Sequence, residues 1–473
     1  MPPPLPAGTE IELPAPASGR REALVLEVVK VIKEGADGAC VLLADRRGDL
    51  YVGKAAHCAA GDGAIAAEGE KLTAIYESAK SKGEEPRVPR VMGVAAHEVG
   101  GGRTMKILVL EKLQCDATDF VRKYEATMKR PLSLTAALQT YVDMVCSIKQ
   151  FHDAGMAHTD LNKNNVMYTE RAPFGVRLID ATRALYLHTQ PLEWIFLGRR
   201  ATMQRGAPAY QGHHAFRGRP ECGRGDLSAA FRCCLDMVAT KAQGEPAPNA
   251  AFAAVKSAQK ASPLNWDSPE VAAACERYLS VRKRVEKKKI AEIAEMLPEA
   301  VSADVKAELE FLLKFLNDLP FFCTPLPPGS RLYDGITEAV TDIISRIQEG
   351  PQTYHQDSLE KAFRDAGFVV PQPPPPSPPA QEPTDEEEST GEGDERESEG
   401  PSEASRSSGG SEATEDTSRG RKRRRPNVEA CRYDKSIGPI EVLPDVDEEE
   451  QVVDGTWRKR RHMSLPSHLH WPE

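Results

Sequence analysis

The chain has 473 residues, of which 40% are hydrophobic and 28% charged, so it is long enough for one large or two medium domains. Its net charge of −10 falls entirely in residues 371–473, which hold 14 basic and 24 acidic residues. Basic and acidic residues are therefore equal in number in residues 1–370, which argues against direct nucleic-acid binding. Apolar runs approach neither the length of a membrane span nor the pattern of a signal peptide, so we expect a soluble, intracellular protein without a membrane partner.

The first part of the chain has the pattern of a small antiparallel sheet. Residues 1–21 are expected to be disordered, and short alternating runs then predict strands up to residue 113. The predicted strands are Glu27–Ile32, Ala39–Asp45, Leu50–Ala55, Val91–Val99 and Met105–Leu113. Between the third and fourth strands, residues 64–82 predict a helix.

The second part of the chain is mostly helical. Apolar residues with a spacing of three and four predict an amphipathic helix with one buried face, formed by Leu138, Tyr141, Val142, Val145, Ile148 and Phe151. The helical pattern continues to about Val370. The sequence therefore predicts an α+β fold with a sheet-containing N-terminal lobe over residues 22–112 and a helical C-terminal lobe over residues 113–370.

The composition changes sharply at Pro371. Seven of the ten residues in Pro371–Ala380 are proline, and acidic, Ser and Gly residues follow, so residues 371–473 are expected to be disordered. Six of the seven residues in Arg419–Arg425 are basic, which is typical of a signal for a nuclear import receptor. Ser464, which follows Arg461, resembles a docking site for a phosphoserine-binding adaptor. We therefore expect a nuclear and cytoplasmic distribution.

Three polar residues follow short apolar runs in the helical part of the chain. Asp160 and Asn165 are five residues apart, and Asp180 closes the next apolar run. Phosphoryl transfer with Mg²⁺ needs one carboxylate to orient the attacking hydroxyl and hard oxygen ligands for the metal. An Asn amide oxygen adds no negative charge beside the phosphates. This pattern indicates a phosphotransferase.

The stretch around these residues resembles the catalytic loop and metal-binding Asp of the protein kinase family. The loss of regulatory positions described below, together with the basic, acidic and Pro-rich tracts of the tail, is similar to divergent serine/threonine kinases of large DNA viruses. The resemblance implies a two-lobe protein kinase-like fold. It implies that Asp160 is the catalytic base and that Asn165 and Asp180 bind Mg²⁺. Asp226 matches the residue that begins a buried helix and steadies the catalytic loop.

The resemblance extends upstream to an ATP site. Lys54 matches the strand lysine that contacts the α- and β-phosphates, and Gly35 and Gly38 resemble the glycines of the phosphate-covering loop. Residues 110–113 resemble the hinge that binds adenine, which implies a cofactor-binding role for Glu111 and Leu113. Glu70 and Glu77 lie on nearly one face of the predicted helix, and we expect Glu70 rather than Glu77 to pair with Lys54.

Several positions depart from the family's pattern. Thr159 replaces an Arg that binds a regulatory phosphate, and Asn162 replaces the Lys near the catalytic Asp of serine/threonine kinases. Asp180 is followed by Ala181 and Thr182 instead of Phe and Gly. Because Lys54 and the three polar residues are retained while these regulatory residues are lost, the sequence favours an active phosphotransferase without the usual switches.

The resemblance implies an ATP- and Mg²⁺-dependent kinase that modifies Ser or Thr hydroxyls on protein substrates. One alternative is a small-molecule phosphotransferase of the aminoglycoside and choline kinase type. The segment Gly206–Tyr210, which resembles part of a peptide platform, argues against it. The second alternative is a catalytically silent scaffold.

Overall fold

The structure is a computed structural model. It describes residues 5–14, 23–34, 38–56, 59–99, 104–187, 210, 223–239, 246–261, 268–319 and 330–372. Several residues singled out in the sequence lie outside the described residues, namely Gly35, Gly206–Ala209, Arg419–Arg425 and Ser464.

The first part of the chain forms a six-stranded antiparallel sheet in the order β1-β2-β3-β4-β6-β5. The strands are β1 (Glu10–Leu13), β2 (Leu24–Glu34), β3 (Gly38–Asp45), β4 (Leu50–Ala56), β5 (Val91–Glu98) and β6 (Thr104–Glu111). The alternation that predicted them is visible in β3, where Ala39, Val41 and Leu43 are buried and the residues between them are partly exposed. Strands β2 to β6 correspond to the five predicted strands.

Strand β1 corrects the expectation that residues 1–21 are disordered. Ile11 pairs with Leu26 and Leu13 pairs with Leu24, and both side chains are buried. The sequence of β1 alternates between Glu and an apolar residue, but it is only four residues long. Burying each apolar side chain against the sheet contributes about 1.5–3 kcal/mol, which a local pattern does not reveal.

Helix α1 (Ala59–Ser81) packs against the sheet and against the helical part of the chain. Its buried residues Ile65, Leu72, Ile75 and Ala79 recur at helical spacing and form one face. The helix begins five residues before the predicted start at Ala64.

The helical part contains the main core. It begins with β7 (Cys115–Asp116) and continues with helices α2 (Ala117–Met128), α3 (Leu134–Asp153), α4 (Gly223–Val238), α5 (Pro246–Ala261), α6 (Pro269–Glu295), α7 (Glu299–Asp318), α8 (Leu332–Glu349) and α9 (Leu359–Asp365). Helix α3 is buried on more than its predicted face, because α1, α4, α8 and α9 all pack around it. Within the described ranges, no helix is long and apolar enough to cross a membrane.

Two short antiparallel pairs lie next to α3 and position the polar residues singled out above. Strands β9 (Val166–Tyr168) and β10 (Val176–Leu178) pair with each other, and β8 (Met156–Ala157) pairs with β11 (Leu185–Tyr186). The loop between β8 and β9 therefore carries Asp160 and Asn165, and the turn after β10 carries Asp180.

Candidate active site

Lys54 is the centre of a polar cluster between the sheet and the helical part of the chain. Its Nζ atom lies 2.7 Å from Glu68 Oε2, 2.8 Å from Asp180 Oδ1 and 3.1 Å from Thr182 Oγ1. Lys54 lies on β4 and Glu68 lies on α1. Asp180 and Thr182 lie on the turn after β10. The predicted approach of Lys54 to Asp180, which are 126 residues apart in the chain, is thus present in the structure.

The expectation that Glu70 pairs with Lys54 is wrong, and so is the alternative, Glu77. Glu68 forms the ion pair, with only 1% of its side chain exposed, whereas Glu70 and Glu77 are exposed. The helical spacing of Ile65 and Leu72 places residue 68 between them on the buried face. This signal was present in the sequence, because the partner of a buried Lys has to lie on the face that packs against the sheet.

Sequence reasoning also missed Thr182, which was considered only as the loss of a glycine. Its hydroxyl lies 2.8 Å from Glu68 Oε2 and 2.8 Å from Asp180 Oδ1. Because a hydroxyl has one proton, it donates to one carboxylate at a time while its lone pairs accept from Lys54. Thr182 therefore links α1 to the turn that carries Asp180.

The charges in this cluster stabilise one another. Burial alone would lower the pKa of Lys54, but Glu68 and Asp180 outweigh burial and raise it above its usual 10.5. Burial would raise the pKa of Asp180, but the charge and hydrogen bond of Lys54 and the hydrogen bond of Thr182 hold it at about 2. Lys54 and Asp180 are therefore both charged at neutral pH.

Asp226, the second residue predicted to support the site, fixes the backbone of the loop that carries Asp160. Its Oδ2 accepts from the amide of His158 at 2.7 Å, and its Oδ1 accepts from the amide of Thr159 at 2.8 Å. Thr159 has a φ of 61°, in the left-handed region that a β-branched residue rarely adopts. The two hydrogen bonds that these amides donate to the buried carboxylate offset this strain, and they fix the backbone just before Asp160.

Asp160 has 13% of its side chain exposed and faces the turn after Asp180. Its backbone carbonyl accepts from Asn165 Nδ2 at 2.8 Å and from Asn162 Nδ2 at 3.0 Å. Burial raises the pKa of the Asp160 carboxyl, Asp180 adds to this effect, and Arg183 and His158 oppose it. The carboxyl is therefore a better proton acceptor than an exposed aspartate.

Asn165 and Asp180 fit a Mg²⁺ ion. The Nδ2 of Asn165 is used by the carbonyl of Asp160, which leaves the amide oxygen as a ligand, and the amide of Ile179 donates to the carbonyl of Asn165 at 3.0 Å. That backbone bond places Asn165 beside the strand that ends at Asp180. Carboxylate and amide oxygens are the hard ligands that Mg²⁺ prefers, with water and phosphate completing its shell. The described residues contain no group of three His, Cys, Asp or Glu side chains that holds a metal by itself.

Of the remaining predicted cofactor-binding residues, Gly38 and Glu111 lie on β3 and β6, the two strands that pair with the strand of Lys54. A Cβ on Gly38 would overlap the carbonyl oxygen of Ala55, so a side chain is excluded there by the neighbouring strand. Glu111 ends β6, its amide donates to the carbonyl of Arg90 at 2.9 Å, and burial raises the pKa of its carboxyl. Leu113 follows and is buried, with 8% exposed. The structure thus places Glu111 and Leu113 on the segment that leads from the sheet to the helices.

The comparisons with known proteins bear on this same region. The family model described as the lipopolysaccharide kinase (Kdo/WaaP) family matches residues 77–193, which include Asp160, Asn165 and Asp180. Residues 77–193 of this chain are therefore similar to a family of kinases. The predicted two-lobe α+β fold, with an antiparallel sheet followed by a mainly helical lobe, is confirmed.

Two individual proteins are similar to parts of this chain. The serine/threonine-protein kinase PSK2 of Saccharomyces cerevisiae is 33% identical over 81 residues, which are 17% of this chain and 7% of that protein. The chain therefore corresponds to a small part of that relative. A solved structure of vaccinia related kinase 3 has 14% sequence identity and a TM-score of 0.45 over 75% of this chain and 94% of that one.

Three hydrogen bonds from Lys71 hold the turn after Asp180 against α1. The Nζ of Lys71 donates to the carbonyl oxygens of Ala181 at 3.3 Å, Thr182 at 3.2 Å and Ala184 at 2.8 Å. Lys71 and Glu68 lie three residues apart on α1, so this helix contacts the turn through both side chains. The turn is held by charge-assisted hydrogen bonds from within the chain.

Proposed function

We propose that the chain is an ATP- and Mg²⁺-dependent protein kinase that transfers the γ-phosphoryl group of ATP to Ser or Thr hydroxyls of proteins. The observation that carries this proposal is the ion pair of Lys54 with both Glu68 and Asp180, 2.7 and 2.8 Å away, beside the loop that holds Asp160. This arrangement of a partly buried amine and two carboxylates is the one that phosphoryl transfer requires of the protein.

Each residue then has a defined task. Lys54 contacts the α- and β-phosphates, and Asp180 and Asn165 hold Mg²⁺, which neutralises charge on the triphosphate when bound. Asp160 accepts a hydrogen bond from the acceptor hydroxyl and takes its proton as the oxygen–phosphorus bond forms. The bond between the γ-phosphorus and the bridging oxygen breaks, and ADP leaves with that oxygen. Positioning and electrostatics supply the rate enhancement.

A protein acceptor is supported by the similarity to a yeast serine/threonine-protein kinase. It is also supported by the resemblance of Gly206–Tyr210 to a peptide platform. Tyr210, the described residue of that segment, is partly buried and donates to Asp236 Oδ2 at 3.0 Å, which anchors the end of the segment to α4.

A second candidate activity is phosphorylation of a sugar hydroxyl. The matched family model is that of lipopolysaccharide kinases, and it covers the loop that carries Asp160. The same base, lysine and metal ligands serve either acceptor, because both reactions begin with a hydroxyl oxygen attacking the γ-phosphorus.

The two activities are separated by supplying labelled ATP with either a mixed protein substrate or a panel of sugars and small alcohols. We expect the wild-type chain to transfer the label to protein, and we expect Asp180→Asn to transfer none. Label only in a small molecule would favour the second activity. Label in neither, together with a lack of Mg²⁺-dependent ATP binding, would favour a catalytically silent scaffold.

The tail provides further proposals about partners. We propose that Arg419–Arg425 binds a nuclear import receptor and that Ser464, when phosphorylated, binds an adaptor, which together imply a nuclear and cytoplasmic distribution. Their support is the local sequence alone, since both lie beyond residue 372.

A further inference from the structure

In the loop that carries Asp160, from His158 to Asn165, no Lys or Arg side chain pairs with this carboxylate. Asn162 stands where serine/threonine kinases place a Lys, and its amide is bound to the carbonyl of Asp160 at 3.0 Å. Lys163 is adjacent, but its Nζ lies 3.4 Å from the carbonyl of Asp236 in α4. Neither Asn162 nor Lys163 therefore pairs a positive charge with the Asp160 carboxylate.

Arg183 brings a guanidinium to this carboxylate from another segment. Its Nε lies 3.7 Å from Asp160 Oδ2, and 42% of its side chain is exposed to solvent. At 3.7 Å the pair is an ion pair without a tight hydrogen bond. The carboxylate therefore stays available to accept a proton from a substrate hydroxyl.

The backbone of Arg183 is held from both sides of the site. Its carbonyl oxygen accepts from Thr159 Oγ1 at 2.8 Å, which ties it to the residue before Asp160. The carbonyls on either side of it, those of Thr182 and Ala184, accept from Lys71. An exposed ion pair whose only effect is on stability does not need this degree of fixation.

We infer that Arg183 is a positioning residue for Asp160, and that it replaces the catalytic-loop cation missing at Asn162. The inference rests on the proposed function. Asp160 has to remain correctly oriented while a triphosphate and Asp180 lie close by, and both are negatively charged. A guanidinium beside it offsets that repulsion and fixes the carboxylate toward the acceptor hydroxyl.

The test compares wild type, Arg183→Ala and Arg183→Lys in a steady-state phosphotransfer assay with whichever acceptor the wild-type chain labels. For Arg183→Ala we expect kcat to fall by roughly 10- to 100-fold while the KM for ATP changes less than about twofold. Arg183→Lys should recover part of kcat, and added methylguanidinium should raise the kcat of Arg183→Ala. Arg331→Ala is the matched control, because Arg331 is similarly exposed (48%) and pairs with Glu338 at 3.1 Å.

A double-mutant cycle shows whether Arg183 acts through Asp160. In the Asp160→Asn background, Arg183→Ala should cause little further loss of kcat. An equal loss in both backgrounds, or a parallel loss of ATP affinity, would overturn the inference. So would full kcat in Arg183→Ala of an active chain. If the wild-type chain itself transfers no phosphate, the proposed function fails and the inference fails with it.

Discussion

Replacing Asp160 with Asn is expected to lower kcat by about a thousandfold while leaving the affinity for ATP within about twofold of wild type. Asn is nearly isosteric with Asp but cannot accept the proton of the acceptor hydroxyl. The backbone carbonyl of residue 160, which binds Asn162 and Asn165, is unchanged by the substitution. The loop should therefore keep its conformation, and the loss should appear in the chemical step. Initial rates and calorimetric ATP titrations measure the two effects separately.

Asp119→Asn is the control for this substitution. Asp119 lies on α2, its side chain is 52% exposed, and it pairs only locally with Arg122, so both kcat and ATP affinity should be unchanged. Full phosphotransfer by Asp160→Asn would show that Asp160 is not the base.

Glu68→Gln is expected to lower kcat/KM by about a hundredfold, which corresponds to roughly 2.7 kcal/mol of transition-state stabilisation. The reason is that Glu68 is buried and is 2.7 Å from Lys54, so the amide leaves the amine with one carboxylate instead of two. Lys54 should then bind Asp180 more tightly and contact the phosphates less well. Measuring KM for ATP together with kcat should show that both change.

Glu70→Gln is a closely matched control, since it makes the same chemical change two residues away on the exposed side of α1. It should leave kcat/KM within about twofold of wild type. The opposite result, a large loss for Glu70→Gln and none for Glu68→Gln, would contradict the ion pair seen in the structure.

Most of the fold could be predicted from periodicity. Strands β2 to β6 and helices α1 and α3 follow from apolar residues with a period of two or of about 3.6. Strand β1 could not be predicted, because a run of four residues is stabilised only when it pairs with β2. The burial of α3 on several sides could not be predicted either, because it depends on which helices pack around it.

The candidate site could be predicted only where a motif marks it. Lys54, Asp160, Asn165 and Asp180 have recognisable spacing, and the structure gathers them in one region. Glu68 was predictable from the buried face of α1 but was overlooked. Thr182 and Arg183 had no such signal, because their contacts come from a turn that folds back between α1 and the loop of Asp160.

The central claim is that Lys54, Asn165 and Asp180 share one Mg²⁺-dependent ATP site. Calorimetric titration of ATP with and without Mg²⁺, for wild type, Lys54→Met and Asp180→Asn, tests it most directly. We expect wild type to bind ATP at least tenfold more tightly with Mg²⁺, Asp180→Asn to lose that dependence, and Lys54→Met to bind weakly under both conditions. Equal ATP binding by all three chains, with no effect of Mg²⁺, would contradict the account.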